Sequence, residues 1–397
     1  MSKYLLVFLG LLAVALLAGC GPKGVAPDSP EDTPPNHYLH GMELVDAGRL
    51  PEARLRFARS LELDPGYAPG FAGEALVAAM EAGVQPDAEH RAVELDKFRV
   101  LLDKGYAKAG TPADKFIVAV TGIRAETSAK DAKWMRRAEK WHEKGRVIKD
   151  VDEGGLPYYR NVEALDYFMG KARFEAGEYA EAKGLLGKVV GAAGNKWHQP
   201  ANELYARIQK IELATANYTV TGVSRAIAAK DAVSRADVAA LIAGELNLPR
   251  LFGKLTALTP EADFIPADVA GNPFEAEIVE VLKWNVRGLE PVYDASAKAE
   301  LFKPGAPLSR KEMALALEDI LIKVSGDESL SRKYLGQETS AYPDVKPTEA
   351  CYNAVVNAVT RNLMETDLTG AFRPDDDLNG AELLLAVVRL RNAVNVY

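Results

Sequence analysis

Seven positions between Asn36 and Pro65 limit what this chain can fold into more than any other feature: Gly41, Leu44, Gly48, Ala53, Phe57, Ser60 and Pro65. Small residues at positions 41 and 53 let two helices approach closely. Gly48 can turn the chain between them, since glycine reaches positive φ without strain, and Asp64-Pro65 stops the second helix because proline cannot continue one. The spacing therefore predicts a pair of antiparallel helices. A second copy runs from Tyr167 to Val190 through Gly170, Phe174, Ala176-Gly177-Glu178-Tyr179, Ala182 and Leu186. Between the copies, residues 69–150 are rich in Ala, Glu, Lys and Leu, and Val93, Phe98, Leu101 and Leu102 recur at helical spacing, so further helical pairs are expected there. Trp134 and Trp141, seven residues apart, share one helix face and are assigned to packing between hairpins rather than to a ligand groove. Gly154-Gly155-Leu156-Pro157 breaks the pattern and marks a loop.

The two copies resemble the tetratricopeptide repeat. That resemblance implies an all-α stack of helical hairpins over residues 36–215, with a groove for a protein partner. The partner cannot be named, because such scaffolds share a core pattern while their groove residues vary.

The N-terminus is of another kind. Lys3 precedes an apolar run from Leu5 to Leu17, too short for a permanent span, which needs roughly 20 residues. The run ends in Leu17-Ala18-Gly19-Cys20, which resembles the lipobox of bacterial lipoproteins. The resemblance implies a signal peptide over 1–20, a lipid on Cys20, and a protein held on a membrane outside the cytoplasm. With Gly21 in place of the Asp that retains enteric lipoproteins at the inner membrane, the outer membrane facing the periplasm is favoured. Residues 21–35 hold five prolines among acidic residues, with no apolar periodicity, and are expected to be a disordered tether.

Composition narrows the function classes. A net charge of −8 and no evident basic stripe argue against nucleic acid. Beyond Cys20 only Cys351 remains, so neither an intramolecular disulfide nor a cysteine-based metal site is expected. His37, His40, His90, His142 and His198 are scattered, and no metalloprotease, hydrolase, phosphate-loop or dinucleotide fingerprint occurs. Neither an enzyme nor a cofactor is expected, and no later segment is apolar enough over enough residues to cross a membrane.

Past residue 215 the texture changes. Val233-Ser234-Arg235-Ala236-Asp237-Val238, Leu308-Ser309-Arg310-Lys311-Glu312-Met313 and Leu378-Asn379-Gly380-Ala381-Glu382-Leu383 are related stretches. Phe302-Lys303-Pro304 and Phe372-Arg373-Pro374 precede the second and third. Further upstream stand Phe264-x-x-Ala267-Asp268-Val269 and Tyr342-Pro343-Asp344-Val345. A capping residue followed three positions later by an acid predicts a capping box, directly at Ser309 with Glu312 and approximately at Ser234 with Asp237 and Asn379 with Glu382. Arg235 and Arg310 sit where a cation opposes the helix macrodipole, so each needs a partner, either an internal acid such as Asp268 or Asp344 or a ligand. Asp375, Asp377, Asn379 and Gly380 imitate the start of a calcium loop, but Ala386 stands where its bidentate Glu belongs.

This arrangement resembles the S-layer homology domain. It implies a mainly helical three-repeat module over 217–397 that binds peptidoglycan or its attached polysaccharide, with Arg235, Arg310, Asp268, Asp344 and Trp284 as candidate ligand contacts. Guanidinium groups suit the carboxylates of such polymers because they grip them with two parallel hydrogen bonds. The first repeat lacks its aromatic opening, the third has Gly380 in place of Arg, and insertions lie near Glu290–Ala299 and Gly326–Ser340. The expected protein is a membrane-anchored envelope lipoprotein that binds the wall and presents a scaffold. The alternative is a periplasmic adaptor for a secretion, pilus or outer-membrane assembly, with the second module purely structural.

Overall fold

Proline opens many of the helices and left-handed residues close several of them. The computed structural model describes residues 24–216, 221–252 and 265–394. The expected signal peptide over 1–20 with its Cys20, and Phe264, lie outside these residues. The chain divides into two units at Tyr205 and Ala206, inside a helix rather than after it.

In the first unit the helices come in pairs: α1 (Pro34–Asp46) with α2 (Leu50–Leu63), α3 (Ala68–Val84) with α4 (Ala88–Lys108), α5 (Pro112–Ala129) with α6 (Trp134–Arg146), and α7 (Ala164–Glu175) with α8 (Tyr179–Gly191). Helix α9 (His198–Thr215) follows and contains the division point. Each first helix also packs on the first helix of the next pair, and α2, α4 and α6 each pack on the first helix that follows. The result is one layer of α1, α3, α5 and α7 and a second of α2, α4, α6 and α8. Gly48 and Gly177 turn the two sequence copies at φ 72° and 76°. Ala53 and Phe57 are fully buried, and a Cβ at Gly41 would stand 2.4 Å from the Phe57 ring, so the close approach read from the spacing is real. Trp141 is buried against α5 at Gly122.

Part of the expected tether is not free chain. The Val25 amide donates to Glu62 O at 2.8 Å, which ties residue 25 to the end of α2. Arg59 on the same helix pairs with Asp28 and Asp32, and His37 Nε2 lies 2.6 Å from Asp32. Hydrogen bonds from Arg59, from the Asp28 amide and from His37 hold the Asp32 carboxyl well below the usual range. In the structure, residues 24–33 are thus held by these bonds. Composition reports low hydrophobicity and does not reveal ion pairs with a helix further along.

The second unit holds α10 (Gly222–Ala228), α11 (Arg235–Leu246), α12 (Leu248–Phe252), α13 (Glu275–Lys283), α14 (Arg310–Ser325), α15 (Tyr352–Thr360) and α16 (Gly380–Ala393). The fold is mostly helical, as expected, but the insertion near residue 290 forms a hairpin, β1 (Val292–Asp294) with β2 (Ala299–Leu301), in antiparallel register Tyr293 to Glu300. Asp294 Oδ1 makes the turn by accepting the Ser296 and Ala297 amides, and Lys298 takes φ 49°. The second insertion is also ordered. Asn353 and Asn357 on α15 donate to Leu330 O within it and to buried Glu318 on α14, which clamps the insertion between two helices.

Candidate functional site

Three residues, one ahead of each repeated helix, join the second unit together. The Val233 amide donates to Leu378 O, Leu308 to Val233 O, and Leu378 to Leu308 O, at 2.9 to 3.0 Å. This closed ring of backbone bonds gives the unit an internal threefold logic. Each helix that follows it has a polar cap. Ser234 with Asp237 and Ser309 with Glu312 form full capping boxes. Asn379 caps α16 by accepting the Glu382 amide, without the return bond.

The seams between repeats are built around the two arginines. Arg235 is 7 % exposed and Arg310 2 %. Arg235 donates Nε to Phe302 O, Nη1 to Gly288 O and Nη2 to Glu290 O, at 2.8 to 3.1 Å. Arg310 repeats the arrangement one seam on, with Nε to Phe372 O, Nη2 to Glu365 O, and Nη1 to the Glu382 carboxylate at 2.7 Å. Each guanidinium lies 4.9 Å from the centre of the Phe ring whose carbonyl it binds, a cation–π contact worth ~1 kcal/mol or more when desolvated. Burial pushes the Arg235 guanidinium below its ordinary value. For Glu382, burial alone would raise the carboxyl, yet Arg310 and Lys210 bring it below the usual range.

Asp268 and Asp344 are not partners of these arginines. Asp268 accepts the amides of Phe302 and Lys303, and Asp344 those of Phe372 and Arg373, at 2.6 to 3.0 Å. Each carboxylate thereby fixes a turn whose second residue is left-handed, Lys303 at φ 56° and Arg373 at φ 55°. The turn then places the Phe carbonyl where the arginine of the preceding repeat reaches it. Trp284 is 9 % exposed, packs 5.3 Å from Phe252, and donates its indole N–H to Glu280. Arg235, Arg310, Asp268 and Asp344 are thus placed in the seams, Trp284 is packed on Phe252, and none of the five is free of protein partners.

The third seam is closed differently. Its arginine position is Gly380, and a Cβ there would stand 1.8 Å from Ile227 O. Helix α10 brings that carbonyl into the space a side chain would need. The Gly380 amide donates to Lys230 O. Lys230 Nζ meets Asp237 at 2.7 Å, where the pattern of Arg235 toward Glu312 (3.9 Å) and Arg310 toward Glu382 (2.7 Å) calls for a cation. A lysine from the preceding turn has replaced the missing guanidinium.

What remains open to solvent at the seams is a set of cations on the turns and in the first turn of α14. Lys303, Lys311 and Arg373 are about half exposed and pair with Asp294, Asp375 and Asp376. Asp376 O and Asp377 are drawn into the backbone pairing at Arg310 and Ser309, which accounts for the acidic run without an ion. Beside Arg310 a space of about 10 Å³ is lined by Lys210, Glu365, Glu382 and Arg389, room for about one water. Sequence reasoning missed Lys210, Lys230 and Glu365. Lys230 alone had a local signal, since it lies three residues ahead of the repeated Val-Ser pair. In the first unit a groove of about 380 Å³ runs along the layer of first helices, past Val45, Leu76, Arg124 and Phe168.

A family model described as the S-layer homology domain matches residues 341–384, from the Asp344 turn through Arg310's partners to the start of α16. Comparison with curated proteins and with solved structures finds no match to the chain. Among the described residues no helix is long and apolar enough to cross a membrane. Residues 341–384 are thus similar to the S-layer homology domain, and that similarity suggests association with the cell wall or envelope.

Proposed function

We propose that this protein is a membrane-anchored envelope lipoprotein that holds peptidoglycan or an attached anionic polysaccharide through its second unit and offers its first unit, a tetratricopeptide-like stack, to a protein partner. The observation that carries the wall-binding part is the S-layer homology match at 341–384, whose turn geometry recurs at Asp268 and Phe302. In this reading Arg235, Arg310, Asp268, Asp344 and Trp284 shape the seams, and the exposed Lys303, Lys311 and Arg373 make the first contact with the polymer. The lipid anchor rests on Leu17-Ala18-Gly19-Cys20, and the periplasmic face of the outer membrane is its proposed address.

Co-sedimentation with purified sacculi tests the first part. The full chain should pellet with sacculi, and the double reversal Lys311→Glu, Arg373→Glu should weaken binding several-fold without lowering the melting temperature. A chain that stays in the supernatant would remove the wall-binding reading. Detergent-phase partitioning of wild type and Cys20→Ser tests the anchor, which fails if the mutant still enters the detergent phase. The adaptor reading is favoured by the groove along the first helices, which combines an apolar floor with Arg124 and Lys171. It gains ground if sacculi are ignored while a protein partner is lost on reversing Lys171.

A further inference from the structure

The two helix layers of the first unit differ in charge. Helices α1, α3, α5 and α7 carry four Lys and Arg against eight Asp and Glu, whereas α2, α4, α6 and α8 carry fifteen against nine. Several cations of the unit are neutralised by acids, as Arg54 is by Glu81 and Arg173 by Glu139 and Glu178. Around α6, Arg137 is paired with Glu126 and Asp131 and Lys130 with Glu175, but the other cations have no acid partner among the described residues. From Lys130 to Lys149 there are eight Lys and Arg and only three Asp and Glu, a concentration the net charge of −8 conceals. Lys133, Arg136, Lys140, Arg146 and Lys149 are exposed. None of their side chains has a hydrogen-bond or ion-pair partner among the described residues.

Lys133, Arg136 and Lys140 are spaced by three and four residues, so they share one face. It is opposite the face that buries Ala138, Trp141 and Gly145. Next to it, a cleft of about 200 Å³ between α4 and α6 adds Arg99, Arg137 and Lys144. Its buried acid, Glu126, is already held by Arg99 and Arg137. Unpaired like charges at this density repel one another unless an anionic surface faces them.

The chain's own connectivity says which surface. Val25 is fastened to the end of α2, and four residues lie between it and Cys20, a reach of at most about 18 Å over the five steps. Helix α2 belongs to the same layer as α6. A lipid on Cys20 would keep the end of α2 close to the headgroups, which lets the layer it shares with α6 lie down on them, where each lysine or arginine adds to the attraction. We propose that the outer face of α6 lies on the anionic headgroup surface of the bilayer that anchors the chain, with Lys133, Arg136 and Lys140 at its centre. The inference rests on the proposed lipid anchor for its short leash, while the charge pattern stands without it.

The test uses the full chain as Cys20→Ser, so that no acyl chain contributes, and vesicles free of wall polymer. It should co-sediment with vesicles in which about a third of the lipid is phosphatidylglycerol and not with phosphatidylcholine alone. The triple reversal Lys133→Glu, Arg136→Glu, Lys140→Glu should weaken binding at least tenfold with an unchanged melting curve. If that variant folds poorly, the three glutamine substitutions should still weaken it severalfold. No preference for the anionic vesicles, or undiminished binding by the folded variants, overturns the proposal. So does a variant that keeps its vesicle affinity but loses sacculi, which would make a wall polymer the occupant. Because vesicles carry neither polymer nor an acylated chain, these outcomes are independent of the wall-binding and lipidation tests.

Discussion

The two units hold their helices by opposite means. In the first, the repeated positions are small or apolar: Ala53, Phe57, Ala182 and Leu186 are fully buried, and the stabilising gain is close packing of helix against helix. In the second, the repeated positions are polar, and they serve the backbone. Arg235 and Arg310 bind carbonyls, Asp268 and Asp344 bind amides, and Ser234 and Ser309 cap helices. Buried backbone groups must find partners, and turns that meet at a seam cannot satisfy one another as a helix does. A repeated charged residue in such a unit is therefore first an answer to that need, and a ligand contact only when an edge of it stays open.

The largest effect should come from trying to make the seams alike. Gly380 stands where the other two repeats have arginine, so Gly380→Arg would supply a third guanidinium. The Ile227 carbonyl occupies the space of the Cβ itself, so the substitution must displace α10 or the start of α16. It should cost more than about 4 kcal/mol, within the range reserved for severe overpacking. Chemical denaturation followed by fluorescence of Trp284 would measure it. A stable Gly380→Arg chain would mean that α10 is not a fixed part of the third seam.

Next is the arginine itself. From its position at a helix start alone, Arg310→Ala would leave the melting temperature nearly unchanged. Burial reverses this. The truncation strands two carbonyls and the Glu382 carboxylate in the seam, and breaking such a buried pair costs ~3 to 5 kcal/mol. Glu382 also gives the loss a pH signature. Its folded carboxyl is below the usual range, so its contribution is complete above the unfolded value near 4.3 and disappears as pH falls through the lower folded value. Melting curves of wild type and Glu382→Gln should therefore converge on the acid side and separate toward neutrality. Parallel curves at every pH would show that the pair contributes nothing.

What was legible in the sequence follows the same division. Packing of Ala53 on the facing helix could be read because helix contacts obey a fixed local period. So could the capping boxes, which span three residues. The role of Arg310 could not, because Phe372 O, Glu365 O and Glu382 stand more than fifty residues away. The macrodipole argument did reveal that each arginine needed a partner, without saying which. The docking of Val25 onto Glu62 was hidden for the same reason of distance. The β1–β2 hairpin was missed because its strands have three residues each, too few to show alternation.

A smaller effect is expected in the first unit. Ala53→Leu or Ala182→Leu adds bulk where neighbouring helices touch, and overpacking of this kind costs ~1 to 3 kcal/mol. Because these contacts are apolar, the loss should be the same at low and neutral pH, in contrast with Glu382→Gln. Thermal melts of the full chain at two pH values would decide it. A pH-dependent loss would mean that ion pairs, and not packing, hold this pair of helices.

The smallest effects allow the closest comparison, because each unit has a capping box of the same design. Thr111 accepts the Asp114 amide at 3.0 Å and is answered by the Asp114 carboxylate at 3.2 Å, in an exposed turn. Ser309 and Glu312 do the same at 3.4 and 2.8 Å, partly buried. There the Ser309 hydroxyl also donates to the Glu312 carboxylate at 2.6 Å. Removing a cap costs ~0.5 to 2 kcal/mol, and water can replace the lost partner in the exposed case more easily than in the buried one. Thr111→Ala should therefore fall near the lower end and Ser309→Ala near the upper, even though the weaker amide contact belongs to Ser309. Denaturant midpoints of the two single variants and the double variant would measure both, and the losses should add, since the sites share no partner. A larger loss at Thr111 would mean that the amide contact outweighs the buried hydroxyl bond, and that the polar residues of the second unit hold its seams less firmly than their burial implies.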